Sequence, residues 1–287
     1  MMIWLIGHVL AVCIGVSLGL IGGGGSILAA PVLIYVMGIA PKSAFAMTLA
    51  IVGAVSAIGI IPHWRQGNIN LKIAMLFAPP AMVGAYAGAR IAGLPLVTPT
   101  VQLLAFAAIM LIASFSMITK GKDSASLEAH SYSDEGFEVS GVKNSQIAIR
   151  EAFAQRLHRR IPTGIAPAKH GSWAIILEGF GVGLLTGFVG IGGGFLVIPT
   201  LVILGGIPMK EAIGTSLIIL VLKSITGLAG YWGHVPLEWG LVGSFIVAAS
   251  VGILLGAYLT QFVRAKQLEK GFGYFVLAVA IFILIER

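Results

Sequence analysis

The sequence predicts an all-α membrane protein with about eight transmembrane helices, arranged as two homologous four-helix repeats that each carry a glycine-broken or re-entrant segment. Three observations predict it. The 287 residues are 57% hydrophobic and only 10% charged, with a mean hydropathy of +0.99, more apolar than a soluble domain needs to close its core. Apolar stretches follow one another along the chain, each near the roughly 20 residues a helix needs to cross a bilayer. No strand-like alternation competes with them. The two halves also match each other at a fixed offset.

The apolar stretches run over 3–21, 43–61, 71–92, 96–118, 172–191, 211–231, 237–262 and 267–285, with shorter pieces at 26–37 and 194–205. They divide the chain into a first four-span repeat (1–118), a polar loop (119–171) and a second four-span repeat (172–287). Cys13 is the single cysteine, which excludes a disulfide framework and a cysteine metal site. Its setting, Leu10-Ala11-Val12-Cys13, follows no basic segment, so 3–21 is expected to stay as a membrane helix. The loop carries eight basic residues against six acidic ones, which marks it as cytoplasmic in a bacterial inner membrane. Four spans on either side then place both termini in the cytoplasm as well. Within the loop Ile149, Phe153, Leu157 and Ile161 recur every four residues, while Arg150, Arg156, Arg159 and Arg160 take other faces. That is the pattern of a basic amphipathic helix on anionic headgroups, or of a solvated linker helix. Ser131 to Gly141 reads as disordered. The net charge of +7 suits anionic lipid and membrane topology, and no nucleic-acid partner is implied. Trp4, Trp64, Trp173 and Trp232 fit an aromatic belt.

The internal match has an offset of 168 residues (Gly19 to Gly187). Gly19-Leu20-Ile21-Gly22-Gly23-Gly24-Gly25-Ser26-Ile27-Leu28-Ala29-Ala30-Pro31 lies over Gly187-Phe188-Val189-Gly190-Ile191-Gly192-Gly193-Gly194-Phe195-Leu196-Val197-Ile198-Pro199. Downstream, Gly38 lies over Gly206, Lys42 over Lys210, Thr48 over Ser216, Ser56 over Ser224, Gly59 over Gly227 and Trp64 over Trp232. After a slip, Gly84 and Gly88 lie over Gly252 and Gly256. A match sustained this far points to duplication of a four-span unit.

Four consecutive glycines between apolar helices leave backbone amides that hydrocarbon cannot satisfy, so each break must be buried in protein or line a wet cavity. The twelve-residue pieces that follow make only about 18 Å of helix, too short to span. They read as half-helices or re-entrant arms whose N-termini open at Gly25-Ser26 and Gly193-Gly194. Such ends present unpaired amides and the positive pole of the helix dipole. Two of them at a repeat interface would cradle a small anion. Tight helix packing is the competing explanation, preferred for Gly84, Gly88, Gly252 and Gly256. Repeat geometry stays open: four full crossings per copy make the repeats parallel, whereas three crossings plus a re-entrant hairpin make them inverted.

At these residues the chain resembles the sulfite exporter TauE/SafE family of membrane permeases. That family's pattern is a duplicated four-span unit with a glycine-rich break, apolar residues and a proline, then an Ala-x-Gly-Thr-Ser-Leu helix start. The second copy carries it as Ala212-Ile213-Gly214-Thr215-Ser216-Leu217, whereas the first reads Ala44-Phe45-Ala46-Met47-Thr48-Leu49. The polar contribution of the first copy therefore rests on Thr48. The resemblance covers nearly the whole chain outside 119–171. It implies a secondary transporter, working outward, of a small sulfur-containing anion such as sulfite or an organosulfonate.

The expected substrate-binding residues are Gly22, Gly23, Gly24, Gly25, Ser26 and Thr48 from the first copy. From the second they are Gly190, Gly192, Gly193, Gly194, Thr215, Ser216 and Lys223. Lys223 sits mid-span, matched by Val55 in the other repeat, and a lysine there costs about 2.5 kcal/mol or more to insert. It could balance substrate charge, carry a coupling proton, or form a structural ion pair with Glu178. Pro31 and Pro199 are expected to stiffen or kink the arms and, with Glu178 and Lys223, to serve gating or coupling. Lys42 and Lys210 read mainly as interfacial anchors over vestibule charges. His63 and Arg65 follow Pro62 in a turn that could gate. No cofactor or metal is implied, since the six histidines form no zinc-binding pattern. An anion channel with the same cradle is the second reading, and an intramembrane hydrolase using Ser26 the third. Against the hydrolase, a Gly-x-Ser-Gly arrangement is missing and both aspartates (Asp123, Asp134) lie in the loop.

Overall fold

The computed structural model describes residues 2–115 (except 95, 99 and 113), 172–190 and 194–263, with 267, 268, 271, 274 and 276–281. The amphipathic pattern of 149–161, the stretch 131–141, Gly192 and Gly193 lie outside the described residues. All regular structure among the described residues is helical.

Helix α1 spans Met2–Ile21 and is followed by a first arm over Gly22–Leu28, Ala29–Pro31 and Val32–Val36. Then come α2 (Pro41–Arg65), α3 (Leu71–Ala92) and α4 (Thr100–Ile112). The second half has α5 (Ser172–Val189), a second arm (Gly194–Pro199 and Thr200–Leu204), α6 (Met209–Tyr231) and α7 (Trp239–Leu259). Five of these, α1, α2, α3, α6 and α7, are long and apolar enough to cross a membrane. The apolar part of α5, Ile175–Val189, and α4 are shorter. The chain is a multi-pass membrane protein.

Both breaks exist, and their chemistry is more economical than a run of unwound glycines. Gly22 takes a left-handed φ of +61° and its repeat partner Gly190 one of +72°, a conformation that glycine adopts without steric cost. The first arm starts at Gly22 rather than at the expected residue 26, because the glycines wind into 3-10 turns over Gly22–Leu28. Each arm then ends in a π-helical segment that begins directly after a proline, Pro31 or Pro199. Proline lacks an N–H and crowds the preceding turn, and the ladder widens by one residue beyond it: Met37 N–H donates to Val32 O at 3.1 Å and Gly205 N–H to Thr200 O at 3.0 Å.

Glycine contacts fix the direction of every major helix. Gly25 of the first arm lies against Ser17 and Leu18, and Met37 against Gly7, so the arm runs back along α1. The two form a hairpin that leaves by the face it entered. At the turn end of that hairpin, His63 of α2 bonds the Gly19 carbonyl, so α2 runs parallel to α1. Helix α3 returns, and α5 runs parallel to it: Gly84 meets Phe180 and Leu184, and Gly88 meets Leu184 and Phe188. Helices α1 and α5 are therefore antiparallel. We call the end of the bundle where α1 starts proximal and the opposite end distal. Met2 begins a helix at the proximal end and Ser172 at the distal end. Helix α5, which residues 119–171 precede, therefore starts at the opposite end of the bundle from α1, and the first arm adds a reversal that counting apolar spans does not include. Exposed tryptophans rim both ends, Trp4, Trp232 and Trp239 proximally, Trp64 and Trp173 distally.

Helix pairs between the two halves close on backbone. Gly183 and Gly187 leave no room for a Cβ beside the carbonyls of Ala81 and Ala85, and Gly252 and Gly256 none beside Val12 and Val16. This is the small-residue packing expected for the glycine pairs of α3 and α7, since helices in lipid associate through close approach rather than hydrophobic exclusion. Gly243, on the same helix as Gly252, faces open space. Gly252→Leu should therefore lower stability by about 1–3 kcal/mol through overpacking, while Gly243→Leu should leave the thermal unfolding of detergent-solubilised protein unchanged. Equal melting temperatures would contradict the close α1–α7 contact.

Candidate functional site

The two breaks meet. Gly23 and Gly194 lie with their backbones in contact, so a Cβ on either would strike the other. Gly22 sits beside Ile213 and Ser216 of α6. The buried Ser216 Oγ accepts the Gly23 N–H at 3.1 Å and donates to Ile213 O at 2.7 Å. From the other side, Ser26 Oγ donates to Gly23 O at 2.7 Å. Both polar groups of the Gly23 peptide region are thus satisfied by serine hydroxyls, one from each half of the chain.

The Ala-x-Gly-Thr-Ser-Leu segment acts as a cross-brace. Gly214 leaves space for the Asn68 carbonyl. Thr215 Oγ1 accepts the Asn70 N–H at 2.9 Å. Asn70 in turn caps α3 by accepting the Ile73 N–H at 3.1 Å, and donates to Glu211 Oε1 at 2.7 Å. Thr215 therefore holds the α2–α3 turn, and Ser216 alone of the pair reaches a break. In the other copy Ala46 stands where Gly214 does, and Thr48, matched to Ser216, is buried with no hydrogen-bond partner for its Oγ1 among the described residues.

Lys223 lies on the same face of α6 as Ser216, seven residues and about 10 Å along the axis. It is 1% exposed. Its ammonium donates to Thr186 Oγ1 at 3.3 Å, and Thr186 passes its own proton to Gly183 O at 3.1 Å. Glu178 is half-buried two turns nearer the distal end of α5. Two further hydroxyls, the repeat-matched Ser56 and Ser224, are buried on α2 and α6 without partners among the described residues, and Ser224 faces Gly53 where the two helices cross. Buried hydroxyls are ordinarily paired, so these mark a polar line through the centre of the bundle.

The groups that close the helix ends at each break carried no such role in the sequence, where His63 and Arg65 read as a turn after Pro62; both instead lie in the last turn of α2, with His63 buried. His63 Nε2 donates to Gly19 O at 3.0 Å, joined there by Thr260 Oγ1 at 2.9 Å. In the other half Tyr231 OH donates to Gly187 O at 3.2 Å, and Gln102 Nε2 to Phe188 O at 2.8 Å. The offset that relates Gly19 to Gly187 also relates His63 to Tyr231, so the signal was available. At the distal end, a cavity of about 690 Å³ opens among Arg65, Gln66, Asn68, Lys210 and Gln261.

The family model of the sulfite exporter TauE/SafE family matches residues 8–283. A "probable membrane transporter protein" of Xylella fastidiosa (strain 9a5c) is 31% identical over 274 residues, covering 94% of this chain and 91% of its own. "Probable membrane transporter protein YunE" of Bacillus subtilis is 25% identical over 91% of this chain and 89% of its own. YdhB of the same species, also a "probable membrane transporter protein", reaches 38% over 39% of this chain and 46% of its own. No solved structure matches. With a family model that matches almost from end to end and a relative 31% identical over 94% of the sequence, the chain belongs to the sulfite exporter TauE/SafE family of membrane transporters.

Proposed function

We infer that this transporter is a secondary exporter of a small sulfur-containing anion, sulfite or an organosulfonate, bound between two inverted four-span repeats where the glycine breaks meet. The observation that carries the reading is the contact of Gly23 with Gly194 under Ser216, with Lys223 on the same face of α6. Breaks in a lipid-embedded fold are tolerated where protein or a cavity satisfies them, and helix-break amides suit an oxyanion. Ser216 Oγ occupies the Gly23 amide in this arrangement. An anion entering between the repeats would take over that donor and gain the Lys223 charge, so binding must part the two breaks. Protons are the proposed coupling ion, with Lys223 as the group that exchanges charge with the anion.

Each repeat counts as one hairpin (an α1-type helix with its arm) and three crossings, which gives the eight-span architecture and makes the copies inverted. The distribution of basic residues supports one orientation. Arg65, Lys72 and Lys210 lie at the distal end, where α7 ends and α5 begins. Among the described residues, Lys42 and Arg90 are the lysine and arginine side chains at the proximal end. The positive-inside rule makes the distal face cytoplasmic in the inner membrane and turns both termini outward.

Three outcomes test this reading. In proteoliposomes, Lys223→Met should lower sulfite flux by about tenfold or more, the scale of one charge-assisted contact; flux at the wild-type level would remove Lys223 from the site. Gly23→Ala, which presses a methyl group on Gly194, should suppress flux while the protein still inserts, and undiminished transport would sink the cradle. Alkaline phosphatase fused to the C-terminus should be active and a fluorescent protein there dark, with the reverse for insertions in 119–171; the opposite pattern would overturn the orientation.

A further inference from the structure

We propose that the distal cavity between Arg65 and Lys210 is a second anion site, which loads a small oxyanion from the cytoplasmic face before it reaches the glycine breaks; this rests on the transport reading above. The cavity holds about 690 Å³, enough for a sulfite or a short sulfonate with its water. Its two cations come from different halves of the chain, Arg65 at the end of α2 and Lys210 at the start of α6. No carboxylate is among the described residues that line it. The nearby Glu211 is engaged by Asn70.

The neutral lining groups favour the same ligand. Gln66 Nε2 spends one N–H on Ala257 O, and Asn68 Nδ2 one on Gln66 Oε1, so each amide keeps a second N–H for an acceptor. A guanidinium fork plus amide donors is the chemistry that recognises tetrahedral and pyramidal oxyanions. The cavity also adjoins the first break: His63, two residues before Arg65, holds Gly19 O, and so does Thr260, the neighbour of Gln261.

The site is one-sided. By the 168-residue offset Lys210 corresponds to Lys42, but Arg65 corresponds to Gly233 and Gln66 to His234. The proximal end therefore lacks the cation pair, and its Arg90 is turned to His234 at 2.8 Å. Two walls, Ile61 and Leu254, are apolar and exposed, so the same donors could seat the phosphate of a lipid headgroup. The experiment separates the two sources.

The full chain is reconstituted in vesicles of phosphatidylcholine alone, and in vesicles with added phosphatidylglycerol, and radiolabelled sulfite flux is started from either face. Arg65→Gln with Lys210→Gln is expected to raise the half-saturating sulfite concentration about tenfold for flux from the distal face, the size of a lost charge-assisted contact. Maximal flux and proximal half-saturation should stay near wild type in both lipids. An unchanged distal half-saturation, or an equal rise from both faces, would overturn the loading site. An effect confined to vesicles with phosphatidylglycerol would assign the cavity to a lipid headgroup and overturn it too. Binding is read independently as the rise in melting temperature of detergent-solubilised protein with millimolar sulfite. A rise lost in the double variant and kept in Lys223→Met supports the site even if no flux is measurable, which would fault only the transport reading. A rise fully kept in the double variant, or none in the wild type, counts against it.

Discussion

A backbone polar group inside a lipid bilayer has no water to turn to, and the fold is organised around that constraint. Interrupting a helix there strands carbonyls on one side of the break and amides on the other. The chain interrupts two helices and answers both with side chains from elsewhere. Gly19 O is closed by His63 and Thr260, and Gly187 O by Tyr231. The Gly23 amide is closed by Ser216. None of these partners belongs to the helix it serves, so each break is stable only within the assembled bundle. The interruption is thereby made both tolerable and dependent on how the halves sit.

The halves are held by contacts of a different kind. The α1–α7 and α3–α5 pairs each join the first helix of one copy to the third of the other, through glycines that bring backbone against backbone. Such interfaces are stiff, because a small residue offers no side chain that could rotate to absorb a shift. The centre is softer. There α2 crosses α6 with buried, unpartnered hydroxyls of Ser56 and Ser224, and the two breaks touch without a side chain between them. On the proposed reading, the rigid pairs move as bodies while the Gly23–Gly194 contact and the serine bond open, which is the behaviour expected of broken-helix transporters.

Composition and spacing made the membrane class and the glycine bends at Gly22 and Gly190 legible, since each depends on local residue type. The small-residue role of Gly84, Gly88, Gly252 and Gly256 was legible for the same reason. The direction of the first arm was not. The sequence shows an apolar piece at 26–37 too short to span but carries no mark of its direction, and the structure runs it back along α1. The roles of Thr215 and Ser216 were blurred similarly. They are neighbours in one motif, yet a helix turns about 100° per residue, and that rotation sends one hydroxyl to a loop and the other to a break. His63 and Tyr231 escaped because the two ring types share no letter, although both can donate a proton to a carbonyl.

Inverted repeats would give both faces of the membrane equivalent access, and the departures from symmetry are therefore informative. Lys223 has Val55 as its counterpart, Arg65 has Gly233, and the serine that holds Gly23 has Thr48. Each departure places the charge or the stronger donor set in one half or at one face. These differences cannot by themselves set the direction of net transport, because a passive cycle runs to the same equilibrium whatever the side chains, and only gradients displace it. What side chains do control is the affinity met by the anion at each face and the ease of each reorientation. On the proposed reading, a cation pair at the distal face would raise occupancy there at low cytoplasmic concentration, while a proximal face with fewer cations would favour release. Such an arrangement would suit a protein that clears a scarce anion into a dilute exterior, with the glycines of the two halves matched in sequence and Arg65 and Lys223 not.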